Sequence, residues 1–337
     1  MTRFLQTGDL HLNAQRVDFP HYLLRGEWVL RAIEQTAVEH SCDCIVLAGD
    51  IFDRPDHTIA ERQLVSDWLG RLEIPVLAIS GNHDARSKLI GDTCLSYLSS
   101  LKLYLHLIHD KDPKIKGAFG CAWLLLPFHD WPHREFRLIV QAMVERIRAK
   151  DTKVPIIAVV HEAVRGCQSD DGILVTKNNQ IKITDGLGVD YWALGHMHLL
   201  QEMLPNAFYA GAPHQTTFGE QLDKGVLIVD TDNLTKPQRV QLYTPYTLEQ
   251  LEAPPANGEW PLFVKYRTAL APDVRLPDHV VYAPPPRIQV NVEMQQARVP
   301  LLHGLEDKLI QLQLPEELLP KTLKMATAMA EELDVVV

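Results

Sequence analysis

Two histidines stand at the end of an apolar run and could form half of a metal site. The run Tyr191–Leu194 is typical of a buried strand, and Gly195 separates it from His196 and His198. Residues two apart in an extended segment point to the same side. Imidazoles placed in this way can share a metal ion, although two polar residues in a surface loop would give the same pattern.

The same arrangement recurs four more times along the chain, which favours the metal site. In each case an apolar, strand-like run leads, within a few residues, into Asp, Asn or His. The polar residues are Asp9 and His11, Asp50, the Asn82-His83-Asp84 segment, and His161. Open α/β folds place their sites on loops at the carboxyl edge of the sheet, so we expect these side chains to meet there.

The residue types indicate which metals would bind. Asp, Asn and His without Cys suit a borderline to hard divalent ion such as manganese, iron or magnesium. Seven candidate ligands are too many for one ion that must also hold water and substrate. Two ions about 3.5–4 Å apart can clamp a phosphoryl group and activate a water. Asp50, the only lone carboxylate of the set, would bridge them, so the sequence predicts a two-metal hydrolase of phosphate esters.

The ordered motifs resemble the calcineurin-like metallophosphoesterases, and within them the SbcD and Mre-type DNA nucleases. The segments that carry the likeness are Asp9-x-His11, Gly49-Asp50-Ile51-Phe52-Asp53-Arg54-Pro55, Gly81-Asn82-His83-Asp84, His161, Gly195-His196-x-His198, Phe218-Gly219-Glu220 and Lys224-Gly225-Val226. The likeness covers roughly residues 1 to 245. The C-terminal part is similar only in position and size.

This resemblance implies a role for each candidate residue. Asp9, His11 and His198 resemble the ligands of the first metal. Asn82, His161 and His196 resemble those of the second metal. Asp50 resembles the bridging ligand, and His83 the non-ligand histidine that assists phosphate cleavage. The implied ions are manganese, with magnesium as the alternative.

The resemblance also implies a function and partners. It predicts a two-metal DNA nuclease with 3'-5' exonuclease activity, and endonuclease activity as a further expectation. Such a nuclease would act with an SMC-like ATPase in DNA repair, recombination or replication, as a homodimer paired through a helix near 58–72. Two alternatives are a cyclic-nucleotide phosphodiesterase and a phosphatase. A third is a non-catalytic scaffold, which would be expected to have lost ligands.

Helical and extended periodicity predicts the elements that position these residues. Helices are expected over 25–40, 58–72 and 134–149, with a short one near 92–100. Their alternation with strands predicts a largely parallel sheet covered by helices. Strands between Ala207 and Tyr243 are expected to form a second sheet with the middle of the chain. The predicted fold is a four-layer α/β/β/α sandwich, two mixed sheets flanked by helices.

Proline-rich composition near residue 245 predicts a boundary between a nuclease domain, 1–245, and a small C-terminal α+β capping domain, 246–337. Strands are expected over 261–267 and 287–293. Amphipathic segments over 301–312 and 315–333 could dock in a partner's groove or pack locally.

Composition narrows the class of protein further. The 337 residues carry a formal net charge of −10, which argues against coating nucleic acid by bulk electrostatics but not against a local site. No apolar run reaches the ~18 residues that span a bilayer, and motif chemistry begins too early for a signal peptide. The five scattered cysteines predict reduced thiols in a cytoplasmic protein.

Overall fold

The structure is a computed structural model, which describes residues 1–86, 93–100, 105–108, 113–170, 172–176, 181–267, 276–277 and 279–283. The α-helices are Leu23–Glu39 (α1), Ile59–Arg71 (α2) and His133–Arg148 (α3), with 3-10 helices at Cys94–Ser100 and Asp185–Leu187. The strands are Arg3–Thr7 (β1), Cys44–Ala48 (β2), Val76–Ile79 (β3), Leu105–Ile108 (β4), Lys114–Ala118 (β5), Cys121–Leu126 (β6), Ile156–His161 (β7), Tyr191–Gly195 (β8), Gln201–Leu204 (β9), Ala207–Tyr209 (β10), Gly225–Asp230 (β11), Gln238–Gln241 (β12), Glu249–Leu251 (β13), Val264–Arg267 (β14) and Val280–Ala283 (β15).

The first sheet has the order β12-β11-β1-β2-β3-β4. Strands β1 to β4 run parallel, β11 pairs antiparallel with β1, and β12 pairs antiparallel with β11 at the edge of the sheet. Thr7 pairs with Leu47, and Ala48 with Ile79, so the three loops that follow β1, β2 and β3 leave the sheet level with one another. This register brings the early candidate ligands to one edge.

The second sheet has the order β5-β6-β7-β8-β10-β9. Its central strands β6, β7, β8 and β10 are parallel, and β5 and β9 are antiparallel at the two edges. His161 at the end of β7 pairs with Gly195 at the end of β8. The later candidate ligands therefore also share one edge.

The two sheets pack face to face through a buried apolar layer. Phe4 of β1 meets Trp123 of β6 and Tyr191 of β8 edge to face, with ring centroids 5.2 and 5.8 Å apart. A polar link through Gln6 also crosses this layer: the Tyr191 hydroxyl donates to Gln6 Oε1 over 2.7 Å, and Gln6 Nε2 donates to the Phe208 carbonyl over 2.8 Å. Buried polar groups need such partners, so the link fixes the alignment of the sheets.

Helices cover the outer faces of both sheets. Val29 of α1 and Trp68 of α2 are buried against the first sheet, and Phe136 of α3 is buried against the second. Helix α2 begins with a capping box, in which Thr58 and Glu61 satisfy each other's backbone N–H groups. The predicted four-layer α/β/β/α sandwich is therefore confirmed.

The predicted helices over 25–40, 58–72 and 134–149 are confirmed as α1, α2 and α3. The prediction that the strands of 207–243 form the second sheet was wrong for β11 and β12. These two strands instead extend the first sheet beside β1. Strands β5 and β9 were not predicted, because their exposed edge positions carry little apolar periodicity.

A third sheet, β13-β14-β15, is wholly parallel and contains the strand predicted over 261–267. Phe263 beside it packs on Phe19, with ring centroids 5.3 Å apart. The predicted segments 287–293, 301–312 and 315–333 lie outside the described residues, and the boundary at 245 stays a prediction.

Two further features of the described part concern the class of protein. All five cysteines are free and buried. Among the described helices, none has both the length and the apolar character needed to cross a bilayer.

Candidate metal centre

The structure brings together all the side chains that the sequence singled out. They project from loops and strand ends at the shared carboxyl edge of the two sheets, where the first sheet supplies the early residues and the second supplies the three late histidines. The residues that meet are Asp9, His11, Asp50, Asn82, His83, His161, His196 and His198.

Asp9, His11 and His198 are called the first ligand set here, because the family resemblance predicts that they hold one ion. One ligand atom from each lies within 4.8 Å of the others. The Nε2 atoms of His11 and His198 face each other at 3.1 Å. Two imidazole nitrogens and a carboxylate converging in this way suit one divalent ion.

The second ligand set consists of Asn82, His161 and His196. Asn82 Oδ1 lies 3.0 Å from His161 Nε2 and 2.8 Å from His196 Nδ1. His161 is fully buried at the end of β7. The amide oxygen and the two ring nitrogens therefore converge on a second point.

Asp50 lies between the two sets. Its Oδ2 is 3.2 Å from His161 Nε2 and 3.7 Å from His11 Nε2. Its Oδ1 accepts the backbone N–H of His83 at 2.8 Å, which fixes the carboxylate plane. This placement fits a carboxylate shared by two ions.

Hydrogen bonds at Nδ1 select the ring nitrogen that faces each site. His161 Nδ1 lies 2.6 Å from the Ala48 carbonyl, and His11 Nδ1 lies 3.1 Å from Asp53 Oδ1. Both partners only accept hydrogen bonds, so Nδ1 must carry the proton and Nε2 the lone pair. The two rings are thus held in the tautomer that binds metal.

Burial and charge together shift the pKa values of the site. Burial raises the pKa of Asp50, but the imidazoles of His161 and His11 outweigh it and hold that pKa well below its usual range. Burial lowers the pKa of His161, whereas the Asp50 carboxylate raises it, with a net result of about 10. Protons and metal ions therefore compete at this histidine.

The loops adopt backbone conformations that ordinary residues rarely use. Asp9, His11, Asp50 and His196 have φ angles of 53°, 42°, 50° and 99°. Such angles cost of order 1–3 kcal/mol each and cluster at functional sites. Gly81 is required beside them, because a Cβ there would overlap the Asp50 carboxylate.

His83 lies beside both sets but belongs to neither. Its ring packs edge-on against His11 at 4.7 Å, and its Nδ1 is 2.8 Å from the Asp53 carbonyl oxygen. The side chain is 42% exposed. With Nδ1 occupied by that acceptor, Nε2 is the ring nitrogen available to a bound substrate.

Sequence reasoning missed several residues that support the ligands. Asp84 accepts the backbone N–H groups of Ile51, Phe52 and Gly81, which joins the Asp50 loop to the Asn82 loop. Burial, followed by the charge of Asp50, raises the Asp84 pKa to about 7. Asp84, Asp53 and Glu220 all lie inside the motifs that carry the family resemblance. Their presence in those motifs could have identified them as supporting residues.

Comparison with known proteins places this geometry in a family. The family model described as calcineurin-like phosphoesterase matches residues 2–200. The uncharacterized metallophosphoesterase YhaO of Bacillus subtilis is 26% identical over 249 residues, which are 68% of this chain and 57% of that protein. The DNA double-strand break repair protein Mre11 of Archaeoglobus fulgidus is 24% identical over 213 residues, covering 58% of this chain and 46% of Mre11.

A third relative is the SbcD component of the SbcCD nuclease of Staphylococcus epidermidis, which is 23% identical over 253 residues, 68% of this chain and 66% of that component. The chain thus spans about half to two thirds of the length of these relatives. The family match covers more than half of the chain and includes every predicted ligand from Asp9 to His198. The chain belongs to the calcineurin-like phosphoesterase family.

Proposed function

We propose that this chain is a two-metal DNA nuclease. It would hydrolyse phosphodiester bonds by 3'-5' exonuclease action, with endonuclease activity as well, in DNA repair, recombination or replication. The observation that carries the proposal is the position of Asp50 between two complete ligand sets, with His161 at 3.2 Å and His11 at 3.7 Å. A pair of ions bound there would stand close enough to hold one phosphate between them.

The two ligand sets define what each residue would do. Asp9, His11 and His198 would hold one ion, Asn82, His161 and His196 the other, and Asp50 both. The ions supply charge that stabilises the phosphoryl oxygens and lowers the pKa of water. The mixture of imidazole, carboxylate and amide ligands suits a borderline to hard divalent ion, and by the family resemblance this ion would be manganese, with magnesium as the alternative.

His83 is placed to act on the substrate rather than on a metal. The Asp53 carbonyl accepts from Nδ1 at 2.8 Å, which leaves Nε2 as the ring nitrogen for a substrate. A protonated imidazole donates at both nitrogens, so Nε2 could give a proton to the leaving oxygen while Nδ1 keeps its bond. Asp53 Oδ1, 3.7 Å from Nδ1, would stabilise that positive charge.

A basic cleft beside the site supports a polyanionic substrate. The cleft has a volume of about 620 Å³, and its charged lining residues are Arg16, Arg62, Arg86 and Asp56. Arg62 is held by His57 Nδ1 at 3.0 Å, and Arg86 follows His83 by three residues. Arg16 is paired with Asp56 at 2.7 Å, so Arg62 and Arg86 supply the positive charge of the cleft. This local charge contrasts with the net charge of −10 and would attract DNA phosphates.

The names of the relatives support the same proposal. Two of the three compared proteins are named as a DNA repair protein and as part of a nuclease. By this likeness the partner would be an SMC-like ATPase, bound through residues 301–333. The chain would act as a homodimer that pairs through α2.

The test is manganese-dependent degradation of linear duplex DNA by the purified chain. The assay is run with and without the ATPase, and with bis-p-nitrophenyl phosphate, a cyclic nucleotide and a phosphomonoester as competing substrate classes. We expect shortening of DNA from 3' ends that stops with EDTA. Hydrolysis of the small esters with intact DNA would instead favour the phosphodiesterase or phosphatase alternatives.

A further inference from the structure

His198 is held at Nδ1 in a different way from the other histidines of the site. Thr216 Oγ1 and Asp170 Oδ2 each lie 3.1 Å from this nitrogen, and Glu220 Oε1 lies 3.5 Å away. Its Nε2 faces His11 across the first ligand set. Side chains from three separate positions in the chain therefore define the orientation of one ring.

The hydroxyl of Thr216 has a single proton, and the interatomic distances show which atom accepts it. Thr216 Oγ1 donates to Glu220 Oε1 over 2.6 Å. Because that proton is used, the oxygen can only accept from His198 Nδ1. The ring must then be protonated at Nδ1, which leaves the Nε2 lone pair facing Asp9 and His11.

The Glu220 carboxylate is itself held firmly. Its side chain is 3% exposed, and Oε2 pairs with Lys224 Nζ at 2.6 Å. The backbone N–H of Thr217 donates to Oε1 at 2.9 Å. A buried carboxylate with a paired cation and several donors keeps its charge and position, so Thr216 has a fixed acceptor.

We propose that Thr216 and Glu220 are positioning residues that set the tautomer of His198 and aim its Nε2 at the first metal. The chain of bonds runs from His198 Nδ1–H to the Thr216 hydroxyl and on to the Glu220 carboxylate, which Lys224 neutralises. The inference rests on the two-metal centre of the proposed function but not on DNA as the substrate. It assigns a role to Phe218-Gly219-Glu220 and Lys224-Gly225, which the proposed reaction leaves without one.

The test compares Thr216→Val with a matched control one residue away. Thr217 Oγ1 also lies 2.9 Å from Glu220 Oε1, yet Thr217 is exposed and its hydroxyl bonds the carboxylate rather than the His198 ring. Each full-length protein is stripped with EDTA and titrated with Mn²⁺ in a calorimeter. Loss of a hydrogen-bond partner behind a metal ligand typically weakens affinity by ~10–100-fold.

We expect Thr216→Val to weaken one of the two Mn²⁺ sites by about 10–100-fold and to leave the other unchanged. Thr216→Ser, which keeps the hydroxyl, should restore wild-type affinity, and Thr217→Val should match the wild type. Thermal unfolding in EDTA is measured on all variants, and equal midpoints show that the fold is kept.

Two results would overturn the proposal. The first is wild-type affinity for both ions in Thr216→Val; if Asp170→Asn then loses affinity, Asp170 rather than Thr216 holds the ring. The second is a loss in Thr217→Val equal to that in Thr216→Val, which would assign the effect to the loop. The experiment measures metal binding and not DNA cleavage. If the chain binds two ions but degrades no DNA, the proposed function is refuted and the inference on Thr216 and Glu220 is not affected.

Discussion

The two ligand sets are supported by different parts of the chain. In the second set, His161 is fully buried on strand β7 and its Nδ1 is held by the backbone carbonyl of Ala48. In the first set, His11 and His198 are held by the side chains of Asp53 and Thr216. His161 is therefore held by the sheets themselves, whereas His11 and His198 depend on side chains that single substitutions can remove.

The close approach of the two sheets explains why His161 needs no side-chain support at Nδ1. A Cβ at Gly49 would overlap the His161 ring, and a Cβ at Gly195 would overlap the Ala48 carbonyl oxygen. The strand ends are in contact with one another at this point. We infer that substitutions of Asp53 and Thr216, the polar side chains behind His11 and His198, will tune the first set and leave the second nearly unchanged.

The largest expected effect comes from the residue that both sets share. Asp50→Asn should abolish binding of both ions and all hydrolysis, because the amide removes the charge that would bridge the sets. Metal counting by mass spectrometry or calorimetry measures the result. Asp9→Ala is the matched comparison and should weaken chiefly the first set. Retention of two ions by Asp50→Asn would contradict the bridging role.

The next effect concerns His83, which belongs to neither set. His83→Gln should keep both ions and DNA affinity, while turnover falls by at least ~100-fold, the size of a general-acid contribution. The rate of linear-duplex degradation is measured against manganese concentration for both proteins. Recovery of a near-wild-type rate at high manganese would mean that His83 supports Asn82 instead.

A smaller effect tests the difference between the sets directly. Asp53→Asn replaces the acceptor at His11 Nδ1, 3.1 Å away, with a group that is not charged. We expect the first ion to bind about 10–100-fold more weakly and the second to bind as in the wild type. Asp56→Asn is the control, because Asp56 is exposed and pairs with Arg16. Equal weakening of both sites would remove the distinction drawn between them.

The smallest expected effect is a pH dependence of the free energy of unfolding that arises from Glu162, the residue after His161 of the second set. Burial raises the pKa of Glu162 to about 7, although the N–H groups of His129 and Trp131 oppose it. A carboxyl with a raised pKa in the folded state favours folding in its protonated form. Its contribution to the free energy of unfolding is complete below the unfolded-state pKa of ~4.3 and is lost as the pH rises through the folded-state pKa of about 7.

Glu162→Gln cannot ionise, so the wild type should lose stability relative to this variant between pH ~5 and ~8. The expected change is about 1–3 kcal/mol, measured by urea unfolding in EDTA. Glu135→Gln, on the exposed face of α3, provides the control and should follow the wild type at every pH. A constant difference between wild type and Glu162→Gln would show that this carboxyl does not titrate in the range.

The sequence predicted which side chains meet at the site because their placement at strand ends is a local matter, and their roles as ligands stay a prediction. The end of an apolar strand can be located from the local sequence alone, and the Asp, Asn or His at that end is then placed at the edge of the sheet. This holds for Asp50 after β2 and for His161 on β7. The sheet assignment of β11 depended instead on antiparallel pairing with β1 more than 200 residues earlier, which no local pattern encodes. The same reason hid Thr216, whose role depends on contacts with His198.

The positive φ angles at Asp9, His11, Asp50 and His196 have a consequence for protein engineering. Glycine adopts such angles without the steric penalty, so at these positions the residue that would suit the backbone best cannot bind a metal. A library selected only for heat resistance should therefore accumulate glycine or asparagine at these sites and lose activity as it does so. Selection for activity would have to restore the strained residues and find its compensating stability elsewhere, in the helices and the sheet interface.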